Sequence, residues 1–230
     1  MTCARTDFGL LTLLRLVSSW PDLQHLYTAG DTYGYPDEKT VASIPPPTCK
    51  IVSATFERFM SRFAQSSVLL AGSSESFKDL EMYALSHGAF LGFVKPVLGS
   101  IRSIKLGGNT GMTPDCIAAL ATQAPKLETL SLCGECDDDA LKALADALNV
   151  EGSFPALRTI EYPAPREMHK TGRRRNVREH GHEDAYEDEL RAAAGKRSIS
   201  CWVGHALEYK VEGAQRRAGM AAMGRKYGGW

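Results

Sequence analysis

"QAPKLETLSLCGECDDDALKALADAL", residues 123–148, admits two readings, and the choice between them decides the fold. A strand-like LETLSL runs into Cys133-Gly-Glu-Cys136 and then into a helix, the order that a thioredoxin-like redox site uses. The same residues also form one unit of a repeat, with Leu127, Leu130 and Leu132 at positions 1, 4 and 6 of a hexad, followed by a turn and a helix. The hexad recurs along the chain: Leu23-x-x-Leu26-x-Thr28, Ile51-x-x-Ala54-x-Phe56, Leu80-x-x-Tyr83-x-Leu85, Ile101-x-x-Ile104-x-Leu106 and Leu157-x-x-Ile160-x-Tyr162. The intervals of roughly 20 to 30 residues are those of repeat architectures. Pro21, Pro125 and Pro155 each stand two residues before a hexad, where a fixed φ ends the preceding helix at the same phase.

Helical periodicity fills the intervals. In TPDCIAALATQ, Thr113 is a candidate N-cap, Pro114 suits the first helical position, and Ile117, Leu120 and Ala121 share a face. In DDDALKALADAL three aspartates suit a helix N-terminus, and Leu141, Leu144 and Leu148 make the stripe of a half-buried helix. FERFMSRFAQSSVLLA repeats the habit with Phe56, Phe59, Met60 and Phe63, whereas Gly92 and Pro96 predict a short or kinked helix in HGAFLGFVKPVLGS. A unit of strand, turn and returning helix cannot bury both its faces alone. Units must stack, which lines the strands into one parallel sheet.

These residues carry a family likeness. IRSIKLGGN fits L-x-x-L-x-L-x-x-N with Asn109 at the ninth place, and PKLETLSLCGECDDDALKALADAL is similar to the cysteine-containing variant, with Glu135 at the ninth place and Cys136 one later. The chain resembles a leucine-rich repeat protein of the ribonuclease-inhibitor-like or F-box-associated kind, over residues 8 to 162. Asp31 replaces the asparagine of the first unit, the second and third units lack a ninth-position residue, and such irregular units resemble the degenerate repeats of fungal F-box-type proteins. The resemblance implies an α/β solenoid over 1–162, a curved parallel sheet with helices on its convex side, of about six repeats. Residues 163–230 are expected as a charged tail, largely disordered with helical pieces. The array opens inside a convex-side helix, FGLLTLLRLV, without the polar cap that solenoid ends need, so an N-terminally truncated fragment is expected.

Composition bounds the function. Lys+Arg and Asp+Glu balance at 27 each, so no overall field draws the chain to nucleic acid or an anionic membrane. Six cysteines without regular spacing fit a reducing, intracellular compartment better than a disulfide scaffold. Arg15 and Asp7 interrupt the one signal-like stretch, and no apolar run approaches the roughly 20 residues of a membrane span.

Candidate chemistry is sparse. A redox pair at Cys133 and Cys136 would need a lowered thiol pKa, but the aspartates at 137–139 set negative charge beside the same sulfurs. LGGNTG at 106–111 lies where phosphate loops sit, without the G-x-G-x-x-G phasing or a following Lys-Ser/Thr pair. His169, His180 and His182, with Glu179, Glu183 and Asp184, have metal-ligand chemistry but occupy a stretch with almost no apolar residues to order it. Lys170, Arg173, Arg174, Arg175 and Arg178 form a basic run of the kind used in nuclear import.

With positions 1, 4 and 6 in the core, positions 3 and 5 face the other side of the sheet. The candidate partner-binding residues are His25, Tyr27, Met82, Lys105, Thr129 and Glu161 from those rows, with Arg102, Glu128 and Arg158 as a position-2 ladder of alternating charge. The expected function is a non-enzymatic protein–protein interaction module without cofactor or metal, binding a protein partner on the concave sheet. By analogy with the family it is the substrate-recognition part of an F-box-like ubiquitin-ligase adaptor. A CxxC thiol redox enzyme is the first alternative, and a ribonuclease-inhibitor-like or GTPase-activating-like regulator the second.

Overall fold

The computed structural model describes residues 9–28, 39–40, 43–56, 67–83, 90–107, 109–132, 135–136, 138–163 and 183–204. The elements in chain order are α1 (Leu10–Ser18), β1 (His25–Thr28), β2 (Ser53–Phe56), α2 (Val68–Ala71), β3 (Asp79–Tyr83) and α3 (Phe90–Val94), which continues as a 3₁₀ turn over Lys95–Val97. There follow β4 (Ser103–Gly107), β5 (Asn109–Met112), α4 (Pro114–Gln123), β6 (Thr129–Leu132), β7 (Glu135–Cys136) and α5 (Asp138–Asn149). Last come β8 (Thr159–Pro163), α6 (Glu183–Lys196) and β9 (Ser200–Gly204).

Seven strands form one parallel sheet in the order β1-β2-β3-β4-β6-β8-β9, and β5 and β7 pair separately. Register is strict. Leu26, Ala54, Leu80, Ile104, Leu130, Ile160 and Cys201 are successive partners across the sheet. At five of the six junctions one carbonyl accepts two backbone N–H groups at the entry of the next strand: Gln24, Val52, Lys78, Arg102 and Glu128 each do so. This doubled bond holds neighbouring strands at one phase and leaves no freedom for a one-residue slip, which would turn the apolar row to solvent.

One side of the sheet is buried with the helices in a single apolar core. Leu23, Ile51, Phe77, Ile101, Leu127 and Leu157 begin the strands, and Phe56, Met82, Leu106, Leu132 and Tyr162 end them, all buried. Phe56 meets Phe93 of α3 edge to face, at 5.3 Å between ring centres. Thr113 caps α4 by accepting the Cys116 N–H, and Pro114 stands at its first position, so the local signals of that helix are realised. Pro96 leaves α3 short. Gly72 is dictated by a close approach, since a Cβ there would lie 2.1 Å from the Pro47 carbonyl oxygen.

The leucine-rich-repeat assignment is corrected by this architecture. The molecule is a parallel seven-stranded α/β sheet with helices, a Rossmann-like parallel α/β architecture, and the sheet is not strongly curled. A curled solenoid needs an outer layer that wedges every unit apart, because packed helices stand 8–10 Å apart and strands only about 4.8 Å apart. Between β2 and β4 the helices among the described residues are α2, of four residues, and α3, of five, and no full-length helical wedge stands there among them. The concave face and the F-box-like and ubiquitin-ligase readings go with the solenoid.

A further difference concerns register. The third hexad is Phe77-x-x-Leu80-x-Met82, and not the one beginning at Leu80, because Leu80 pairs with Ala54 and Ile104 in the fourth-position row. Met82 is therefore a core residue and not a surface one. After residue 182 the described chain continues with α6, which packs on α5, and β9, which pairs with β8. No helix among the described residues is long and apolar enough to cross a membrane.

Phe77→Ala and Met82→Ala are each expected to cost about 2–5 kcal/mol in urea unfolding, the range for emptying a buried position, while Thr159→Ala on the opposite side changes stability by less than about 0.5 kcal/mol. A small loss at Phe77 would restore the original third register.

Candidate functional site

The side of the sheet away from the core carries polar side chains in neighbouring strands. Parallel pairing sets Thr55, Glu81 and Lys105 shoulder to shoulder on β2, β3 and β4, because they occupy the same register position. Lys105 Nζ lies 2.9 Å from Glu81 Oε1, the Tyr83 hydroxyl donates a short hydrogen bond to the same oxygen, and Thr55 Oγ1 donates to Glu81 Oε2 at 3.4 Å. Lys105 Nζ also stands 5.9 Å from the centre of the Tyr83 ring, within cation–π range.

Gly107 makes this arrangement sterically possible. It pairs with Tyr83, and a Cβ on it would come within 2.2 Å of the tyrosine ring. The first glycine of the LGGNTG stretch is thus accounted for by a tyrosine lying across from the neighbouring strand.

Electrostatics fixes each member in one protonation state. Burial, the hydrogen bond to Glu81 and its charge hold the Tyr83 phenol well above its usual range. Lys105 is raised: partial burial works against its charged form, but the bonds to Glu81 and Tyr83 and the carboxylate charge outweigh it. Glu81 is lowered because the bonds from Tyr83, Lys105 and Thr55, with the lysine's charge, exceed the opposing effect of burial.

The remaining predicted residues spread along the same side. His25 Nδ1 is 2.7 Å from Ser53 Oγ, and Tyr27 is half-buried with Thr55 as its partner in register. Arg102 and Glu128 form an exposed pair at 3.3 Å. Arg158 is exposed and makes no ion pair with Glu128, so the ladder has one rung among the described residues. Thr129 is half-buried, and Glu161 accepts from Ser131 at 2.5 Å. Met82 is excluded from the surface. Glu81, Tyr83 and Trp202 were not anticipated. FKDLEMY, residues 77–83, carries a signal for the first two, provided that phenylalanine and methionine are accepted at positions 1 and 6.

A second polar cluster ties the last helix to the sheet. The Tyr162 hydroxyl donates to Glu187 Oε1 at 2.6 Å and accepts from Arg191 Nε at 2.7 Å, and Arg191 Nη2 lies 2.6 Å from the same glutamate oxygen. Burial and the Glu187 bond push the Tyr162 phenol up to about 12, so it stays a neutral donor across the physiological range. This cluster is structural. It satisfies a phenol whose ring is buried, as a buried polar group requires.

Other chemistry has little support in the described part. Cys49 and Cys116 are buried free thiols, and burial raises the Cys49 and Cys201 thiols away from thiolate character. Cys133 and the Cys136 side chain lie outside the described residues, as do His169, His180, His182 and the basic run of 170–178. No group of three potential metal ligands occurs among the described residues. Two hollows of about 360 and 330 Å³ flank the turn at Val150–Gly152, at the helical layer and not at the polar cluster. No protein-family model matches the chain, and no curated protein is significantly similar to it.

Because Glu81 is lowered in the folded state, its contribution to stability is present above the ordinary glutamate range and is lost as pH falls through its folded value. Glu81→Gln should therefore destabilise the protein by about 1–2 kcal/mol near neutrality, with the difference from wild type closing in acid. Urea unfolding at a series of pH values measures this, and a difference independent of pH would contradict it. Tyr162→Phe should cost about 1–2 kcal/mol and raise amide exchange in α6 and β9 ahead of the rest of the sheet.

Proposed function

We propose that the chain is a non-enzymatic protein–protein interaction module whose partner lies across the open, polar side of the sheet. The observation that carries this reading is the Glu81, Tyr83 and Lys105 cluster: three polar side chains held rigidly by one another, each moved further into the protonation state it already has at neutral pH. A general acid or base works best with a pKa near the operating pH, and these shifts run the opposite way. Recognition benefits instead, because groups fixed before contact lose little freedom on binding. The flanking Arg102–Glu128 pair, Arg158, Thr129 and Glu161 supply a rim of both charge signs, which gives register and partner choice more than raw affinity.

Strand order supports the same reading. In doubly wound sheets ligands bind in the crevice where strand order reverses. This order rises from β1 to β9 without reversal, so the polar groups sit on a broad face.

A photo-crosslinking amino acid placed at Glu128 or Arg158 should trap a protein partner in cells, and the same probe at Lys142 or Asp146 on the outer helix α5 should not. Lys105→Ala should weaken the trapped complex at least roughly tenfold while leaving the fold intact. Crosslinks confined to the α5 positions would refute the proposed face.

A further inference from the structure

We propose that β9 is a self-association edge, at which two copies of this chain pair antiparallel about a two-fold axis through Trp202 and join two seven-stranded sheets into one.

Among the described residues β9 is the last strand of the sheet, with β8 on one side only. Its sequence, Ser200-Cys-Trp-Val-Gly204, contains no charge and no proline. Sheet edges are normally protected by lysine, proline, bulges or a covering segment, because their free N–H and C=O groups template the addition of another strand. β9 has neither of the sequence devices. Its central residue is also conspicuous: Trp202 is 46% exposed, and it and Val150 are the exposed large apolar residues among those described.

The backbone phase selects a second copy as the occupant. Ser200 donates its N–H to Arg158 O at 2.9 Å, so Ser200 and, by alternation, Trp202 point their backbone groups at β8. Cys201 and Val203 then point theirs outward. A two-fold axis through Trp202 sets Cys201 of each copy opposite Val203 of the other, each pair exchanging both N–H···O bonds. Trp202 faces its own counterpart in the non-hydrogen-bonded position, where opposed side chains approach most closely. One register thus satisfies the open backbone groups and covers both indoles, and an isologous contact of this kind closes on itself as a dimer.

Charge does not oppose the contact. Among the described residues the nearest acidic group on that side is Glu161, the register partner of Trp202 on β8. Across the dimer the two Glu161 residues would stand three strand spacings apart, about 14 Å, which exceeds the screening length of about 8 Å at physiological salt.

Sedimentation velocity of the full chain over a wide dilution series tests the proposal, with Val203→Pro and Trp202→Lys as variants. The wild type should show a reversible monomer–dimer equilibrium. Val203→Pro removes an outward-pointing N–H without touching the bonds to β8, and Trp202→Lys opposes two like charges at the axis. Each should raise the dimer dissociation constant at least roughly tenfold, with circular dichroism unchanged. Should the proline variant unfold, the lysine variant decides alone. A wild type that stays monomeric throughout, or a dimer indifferent to Trp202→Lys, overturns the proposal.

Discussion

In-register parallel pairing is the constraint on which the rest of the molecule depends. No single strand of four or five residues can hold its apolar side chains out of water. Side by side, Leu26, Ala54, Leu80, Ile104, Leu130 and Ile160 form a continuous row that the helices can close. The doubled hydrogen bond at five of the six strand junctions sets the phase, and the apolar first, fourth and sixth positions reinforce it. Large side chains from both layers meet in that core: Phe56 of β2 and Phe93 of α3 are buried and pack edge to face.

The same pairing creates the polar cluster. Once β2, β3 and β4 are locked at one phase, Thr55, Glu81 and Lys105 must be neighbours, and their only freedom is in rotamers. Tyr83 crosses to Gly107 and removes much of that freedom. A half-buried ion pair of this kind contributes modestly to stability, because desolvation offsets much of its attraction. Its physical consequence is a fixed pattern of charge on an otherwise open face. That is the property an interaction surface uses, and one that proton transfer does not.

Much of the strand pattern could be read from the chain. Five of the six hexads lie at the phases inferred, and Thr113 and Pro114 start their helix as their chemistry predicts. The third hexad was misplaced because Leu80 satisfies position 1 and position 4 equally well when taken alone. Only its pairing with Ala54 and Ile104 separates the two. β9 was missed because Ser-Cys-Trp-Val-Gly has no leucine at any of the expected positions, and its membership in the sheet rests on pairing with β8. The site residues Glu81 and Tyr83 were lost with the third register, which had turned Met82 outward in their place.

Residue spacing was enough to decide that strands and helices alternate and that the strands lie parallel, because periods of two and of 3.6 residues are properties of the local backbone. Curvature, the edge of the sheet and the partners of each charge depend on how thick the packed outer layer is and on which strand lies next to which. Those are sums over contacts between segments far apart in the chain, so the absence of strong curling in the sheet, the Tyr162–Glu187–Arg191 tie and the Glu81–Tyr83–Lys105 cluster became visible only in the folded molecule.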